Sequence, residues 1–442
     1  SIKIDDSGKV LNYKINEAVI NNRKRMTYTE VNKYLEENTI PNGYVQTTQK
    51  GASTLVLKGY ENAALGFSVF QPEGFDSPFY IQDKKFAGNA YSFTQVAAAR
   101  LDEMTTVPAN VEWQSDATVT AGAAYWARYA ASTVYRFVKF RVSDINGNNV
   151  TIEYVVTDQT EERPNDNVNA NTGYDNVSVT GYEIPHLNDQ NVYADHYVTM
   201  DGVQILNYAL EWDNTKRHAN WVAFTFDTTT SADNVKRTDA WSVDPKLPAE
   251  MQVQESDHKN DGFDKGHLCA SEDRVYLKEA NDQTFYYSNI SPQLNDFNGG
   301  FWRKLETRVQ TWGRSTADGV YDKVYVTKGG TLNKLLKNFK GTTVNGGTPT
   351  TDANGFTIHG LACPEYYYMA VLSQKDDVFH AIAFLVPHKE GMTKNPSSDE
   401  LKEYVVSVDK LEEETGIDFF CNLPDVLENE VEAACNLNDW AW

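Results

Sequence analysis

Residues 159–178, QTEERPNDNVNANTGYDNVS, run without any hydrophobic period. A segment of that composition buries too little apolar surface to offset the entropy of ordering it, so it reads as a linker or long loop. This constrains the rest of the chain, because every core must form on one side of it or the other. The sequence therefore divides into an accessory region at 1–158, a polar linker at 159–178 and a second region at 179–442. Its 442 residues are long enough for about two to four ordinary domains.

The first region reads as mainly β, in one or two modules. TVYRFVKFRV at 133–142 and VTIEYVV at 150–156 are rich in β-branched and aromatic residues, and Ile145-Asn146-Gly147-Asn148 between them carries a hairpin turn signal. One helix is expected at 29–37, with Thr27 or Thr29 as its N-cap. The second region mixes strands (203–210, 221–226, 320–327, 366–372 and 379–386) with helices at 300–312 and 409–415, the latter stopped by Gly416. That is an α+β pattern, without regular βαβ alternation.

Charge and cysteine usage narrow the classes. The formal net charge is −22, which argues against a nucleic-acid partner if read as a total. Its distribution says more. Residues 1–150 hold 16 basic and 15 acidic side chains, whereas residues 151–442 hold 24 and 47. Inside that acidic part, residues 301–350 carry nine basic groups (Arg303, Lys304, Arg308, Arg314, Lys323, Lys328, Lys334, Lys337 and Lys340) against three acidic ones. Some of these are ordinary helix exterior; others form a candidate track for a polyanion. No run approaches the ~18 apolar residues of a membrane span. Four cysteines without a CxxC pair argue against a zinc site or a thioredoxin-type centre. Dense Asn, Thr, Tyr and Gly usage is compatible with an exported protein, at the cell surface, in a periplasm or outside the cell. Oxidised cysteines would follow, with Cys269–Cys363 and Cys421–Cys435 as the favoured pairs and buried free thiols as the alternative.

HExxH, GxSxG, Walker A and GxGxxG are all absent. What is present is an ordered set: DKGH at 264–267, SNISPQ at 288–293, Asn298-Gly299-Gly300-Phe301-Trp302, and Leu305-Glu306. These resemble the DNA/RNA non-specific endonucleases, a branch of the ββα-metal (His-Me finger) nucleases, whose motifs read D-R-G-H, S-N-[IM]-[ST]-P-Q, N-x-G-x-W and L-E. The gaps agree too, with 31 residues from His267 to Asn298 and 8 from Asn298 to Glu306. Asn220-Trp221-Val222-Ala223, Arg237, Asp244-Pro245, 324–327, 381–385 and the Leu423-Pro424-Asp425 turn resemble flanking elements of the same family. A lone DxGH is weak evidence; four ordered motifs over roughly 200–430 are specific. The resemblance implies a central antiparallel sheet flanked by helices, a Mg²⁺ (or Mn²⁺) cofactor, and DNA and RNA as substrates held through their phosphates.

The residue types suit that chemistry. Phosphodiester hydrolysis needs an activated water, charge relief at phosphorus and a stabilised leaving oxygen. A neutral imidazole takes a proton near neutral pH, which makes His267 the candidate general base. Asp264 is a candidate for orienting the loop or the ring. Asn298 offers a neutral oxygen to a hydrated hard cation, and Glu306 is expected to act through a water. If 298–312 were one straight helix, these two would lie about 80° and 12 Å apart. Arg237 resembles the family's phosphate-binding arginine.

Two positions depart from the family. Lys265 stands where arginine is usual, keeping charge but not the bidentate fork, and Gln310 stands where another arginine often follows L-E. Both departures leave room for two further readings: a phosphodiesterase acting on small diesters or nucleotides, and a decayed surface-binding protein. Intact His267, Asn298 and Glu306 argue against decay. Single histidines are usually structural, and the remaining seven (His186, His196, His218, His258, His359, His380 and His388) are read that way. Cys269, just after the candidate base, lacks any thiolate-activating motif and is not a nucleophile candidate.

Overall fold

The computed structural model describes residues 9–11, 44–46, 53–131, 133–164 and 167–442. The helix expected at 29–37 lies outside the described residues. The chain separates into two compact units, 1–164 and 165–442.

In the first unit the β-branched run pairs as expected. Val134–Asn146 and Asn149–Glu162 form a long antiparallel hairpin whose turn is Gly147, at φ 56°. Together with Ser53–Lys58, Ala124–Ala131 and Tyr91–Val96 they make a five-stranded sheet, and a four-stranded sheet accompanies it. Their shared core is strongly aromatic, with Phe70, Phe79, Phe86, Phe93, Tyr125 and Phe140 all buried.

The second unit is built on one antiparallel sheet of seven strands. In spatial order these are β1 (Val192–Met200), β2 (Val203–Asp213), β3 (His218–Phe226), β6 (Lys323–Gly330), β7 (Tyr366–Lys375), β8 (Val378–Pro387) and β9 (Val405–Val406). The two missing numbers, β4 (Asp264–His267) and β5 (Ile290–Gln293), form a separate two-stranded ribbon. Period-2 alternation sends Phe224, Phe226, Val324 and Val326 to one face of the sheet. Ala223, Tyr325, Tyr368 and Ala370 go to the other. The first face is covered by the ribbon and by α2 (Arg303–Arg314), whose Leu305, Val309 and Trp312 recur at helical spacing. Each such burial contributes about 1.5–3 kcal/mol. The second face is covered by α4 (Val408–Thr415) and α5 (Asp425–Ala433), through Val408, Leu411, Leu427 and Val431. Ser407 caps α4 at its start, and Gly416 ends it at φ 70°. The short helices α1 (Lys278–Gln283) and α3 (Ser398–Lys402) complete the set. The expected α+β architecture, an antiparallel sheet between helical layers, is the one observed.

Three expectations are corrected. The stretch 159–178 is no linker: the hairpin strand continues to Glu162, and the segment from 167 onward is packed. Asn171 is 4% exposed and donates to the Val179 and Pro185 carbonyls at 3.0 Å, and Asn167 donates to the Leu423 carbonyl at 2.6 Å. Its asparagines order it by satisfying backbone groups, a contribution that hydrophobic periodicity does not register. The cysteine pairs are also absent, since all four thiols are free. Cys363 Sγ lies 3.9 Å from the Pro292 carbonyl and from His388 Nδ1, while Cys421 Sγ lies 3.6 Å from the Ile184 carbonyl. Lastly, the straight helix over 298–312 is broken. Phe297–Trp302 is a wide π-type turn with Gly300 at φ −115°, ψ −107°, and regular α-helix begins only at Arg303. A Cβ on Gly300 would lie 3.0 Å from Lys394 Cα, so chain crossing there demands a small residue. The azimuth drawn from ideal helix geometry does not apply across that kink.

Candidate active site

The ribbon and the helix after it form a β-β-α unit. DKGH is β4, and it pairs antiparallel with β5 so that Asp264 faces Gln293, Gly266 faces Ser291 and His267 faces Ile290. Gly266 allows close approach: a Cβ there would meet the Gln293 side chain at 2.2 Å. The SNISPQ residues hold this ribbon in place. Ser288 Oγ donates to buried Asp244 at 2.6 Å, and His196 Nε2 sits 2.9 Å from the same carboxylate. Asn289 exchanges hydrogen bonds with the backbone of Cys269, accepting from its N–H and donating to its carbonyl, both at 2.8 Å. Ser291 Oγ bridges His218 Nε2 and the Tyr367 hydroxyl. Cys269 is thus a buried backbone anchor behind His267, and burial raises its thiol.

His267 stands among aromatic rings, with Phe285 edge-on at 4.9 Å and Trp241 at 5.5 Å. Its Nε2 is buried with no hydrogen-bond partner. Burial first, then the positive charges of Arg237, Lys328 and Lys265, push its pKa down to about 3, so the ring is neutral at pH 7. Arg237 is half exposed: its Nε donates to Asp239 at 2.7 Å, and its guanidinium lies 4.7 Å from the Phe285 ring. Phe285 therefore carries Arg237 on its face and His267 at its side. Lys265 points its ammonium at the face of Trp241, 3.8 Å from the ring centre, and burial lowers its pKa.

Asp264, three residues before His267, reaches the turn after β5. Its carboxylate accepts from Asn298 Nδ2 at 2.9 Å and from Asn295 Nδ2 at 3.2 Å. With Nδ2 so engaged, Asn298 keeps Oδ1 for a cation, which is the atom a hard ion requires. Glu306 lies one turn into α2, and its Oε1 accepts from Lys328 Nζ at 3.2 Å. The donor set, one amide oxygen and one carboxylate, suits a divalent ion that keeps most of its water.

Two residues central to this arrangement escaped the sequence reading. Lys328, assigned above to a surface track, is fully buried in β6, held by Asp273 Oδ2 at 2.8 Å as well as by Glu306. Asp273 also accepts from the Ala270 N–H at 2.8 Å and from Gln310 Nε2 at 2.9 Å. Gln310, in the place of a family arginine, is thus an internal partner of Asp273. Within this network burial raises the Glu306 carboxyl, Lys328 opposing it. The one signal available was Lys328 sitting inside the apolar strand KVYVTKGG. Arg303, Lys304, Lys323, Lys337 and Lys340 of the expected track are exposed. The structure joins Asp264 directly to Asn298, Glu306 to Lys328, and His267 to Arg237 through Phe285. It shows no direct contact between His267 and Asn298.

A family model for DNA/RNA non-specific endonucleases matches residues 188–426. The mitochondrial nuclease EXOG of Danio rerio is 28% identical over 236 residues, covering 52% of this chain and 63% of that protein. Nuclease C1 of Cunninghamella echinulata var. echinulata is 29% identical over 237 residues, covering 52% and 87%. A nuclease of Nostoc sp. is 29% identical over 233 residues, covering 51% and 75%. The match thus spans less than two thirds of the Danio rerio protein. Among solved structures, a chain of an EndoG/EndoGI complex is similar at 22% identity and a TM-score of 0.39, over 52% of this chain and 87% of that one. The expectation of export is overturned here. Relatives from Danio rerio, Mus musculus and Schizosaccharomyces pombe are named as mitochondrial, which points away from an exported protein.

Proposed function

Because the chain belongs to the DNA/RNA non-specific endonuclease family, we propose that it is a Mg²⁺- or Mn²⁺-dependent endonuclease. In this reading it hydrolyses phosphodiester bonds of DNA and RNA with little sequence preference. The observation that carries it lies on one four-residue strand: His267 stands as a neutral ring against Phe285, which also carries Arg237, and Asp264 fixes the amide of Asn298.

His267 accepts a proton from the attacking water through the ring nitrogen that solvent reaches, its Nε2 being buried, as its neutral state at pH 7 allows. Arg237 keeps its two Nη groups for a non-bridging phosphate oxygen while Asp239 holds Nε. Asn298 through Oδ1, and Glu306 through a water, would hold the divalent ion. When bound, that ion supplies charge relief at the phosphate and the leaving oxygen. Lys328 and Asp273 position Glu306 from behind. Contacts to phosphates rather than base edges leave cleavage indifferent to sequence, and the exposed lysines of 323–340 supply long-range attraction inside an acidic exterior.

Incubating the purified protein with single- and double-stranded DNA and RNA in Mg²⁺ should degrade all four, and EDTA should stop it. Intact polymers alongside a cleaved small chromogenic diester would overturn the polymer assignment. Asp264→Ala should raise the Mg²⁺ concentration needed for half-maximal rate by about 10–100-fold, the usual effect of losing a group that orients a ligand. An unchanged Mg²⁺ dependence would remove Asp264 from that role.

A further inference from the structure

The face of the sheet opposite the β4–β5 ribbon carries a second set of acidic groups that the proposed reaction does not use. Oxygens of Asp409, Glu412 and Glu432 lie within 4.8 Å of one another, as do those of Asp418, Glu428 and Glu432. Glu432 is common to both groups. Helical spacing creates the cluster: Asp409 and Glu412 are three apart on α4, and Glu428 and Glu432 are four apart on α5. Like charges so placed repel; Glu428 and Glu432 are buried at 5% and 4% exposure, Glu412 and Asp418 are half-buried, and Asp409 is exposed.

No Lys or Arg among the described residues forms an ion pair with any of the five. Lys410, on the same helix, goes instead to Glu413 and Glu414. Apart from a hydrogen bond between the Asp418 and Glu428 carboxyls, the partners present are neutral or distant. Asn169 Nδ2 donates to Glu428 at 2.7 Å and to Asp418 at 3.1 Å, and the Phe419 N–H donates to Glu412 at 2.8 Å. His186, held by Nδ1 against the Asn169 carbonyl at 2.8 Å, adds a weak positive influence on Asp418. Glu432, the residue common to both groups, has a buried Oε1 with no hydrogen-bond partner. An orphaned oxygen on the carboxylate that two acidic groups share is a ligand position for a cation.

We propose that Asp409, Glu412, Asp418, Glu428 and Glu432 form a second divalent-cation site, separate from Asn298, and that it takes Ca²⁺. Calcium accepts six to eight oxygens at about 2.3–2.6 Å, so its ligand atoms lie at most ~5 Å apart, the spread within each of these groups around their shared Glu432. Mg²⁺ demands a tighter octahedron and keeps its waters, which a crowded carboxylate cage does not favour. Without a cation, burial and mutual repulsion raise Glu412 to about 7, Glu428 to about 8 and Glu432 to about 10. The bound ion would clamp α4 to α5 and, through Asn169, tie down the asparagine-rich segment.

The test is thermal unfolding of the full chain, stripped with EDTA and titrated with CaCl₂ in the absence of Mg²⁺. The wild type and Asn298→Ala should both gain about 5 °C or more in Tm at saturation. Glu432→Gln should lose the gain while retaining nuclease activity in Mg²⁺. A wild type indifferent to Ca²⁺, or a Glu432→Gln protein that responds like wild type, overturns the site. If Asn298→Ala loses the response instead, the ion belongs to the catalytic centre and only this second site falls. Should Glu432→Gln not fold, Glu428→Gln is read by the same criteria.

Discussion

Replacing His267 with alanine is expected to lower phosphodiester cleavage by about 10²–10⁴-fold, the usual contribution of a positioned general base. The fold should survive, because the strand holding His267 is fixed by other groups: the β4–β5 pairing, Asn289 on the Cys269 backbone, and Ser288 on Asp244. The comparison is plasmid and RNA cleavage rates at saturating Mg²⁺ for wild type and His267→Ala, with circular dichroism and the urea midpoint as controls on folding. A variant that cleaves at the wild-type rate would falsify the assignment of His267. A variant that is inactive and also unfolded would show instead that the ring is part of the aromatic cluster with Phe285 and Trp241. His267→Asn, smaller and polar, is then the substitution to compare.

The second large effect concerns stability. Lys328→Met should destabilise the second unit by about 3–5 kcal/mol, the range for breaking a buried ion pair by removing one partner. Lys328 has no exposure at all and is the cation facing both Asp273 and Glu306. Its loss leaves two carboxylates buried together without the cation that bonds both. The methionine fills nearly the same volume, so the deficit is electrostatic rather than a cavity. Adding Asp273→Asn to Lys328→Met should recover a substantial part of it, since one uncompensated charge is then removed. Urea unfolding of the three proteins measures this directly. A Lys328→Met midpoint equal to wild type would show that the network contributes nothing. Catalysis should fall as well, because Glu306 loses the group that positions it.

The same network marks the boundary of what one-dimensional reading reaches. Lys328 is 55 residues from Asp273 and 22 from Glu306. No local period announces such a contact, and a lysine in a basic stretch reads as surface unless its strand is known to be buried on both faces. Arg237 shows the converse case. Its position was legible from motif order, but its stacking on Phe285 beside the imidazole was not. The asparagine-rich stretch fails for a third reason. Hydropathy counts apolar burial, whereas Asn167, Asn169 and Asn171 are ordered by polar satisfaction. Cysteine count and composition suggested disulfides, while the folded chain surrounds Cys269, Cys363 and Cys421 with packed groups and leaves Cys435 exposed.

By itself the amino-acid order determined the α+β class, the hairpin of the first unit, and the order and spacing of the DKGH, SNISPQ, Asn298 and Glu306 motifs, the β-β-α arrangement following only from the family resemblance. Class and hairpin are local properties, set by residue type and turn signals, and the motif spacing is fixed along the chain. Tertiary structure alone decided which charges lie inside, that Asp264 orients the Asn298 amide, and that α4 and α5 bring five carboxylates together. Each of those depends on how distant segments exclude water from one another, and the energy of a charge is set by that exclusion rather than by its neighbours along the chain.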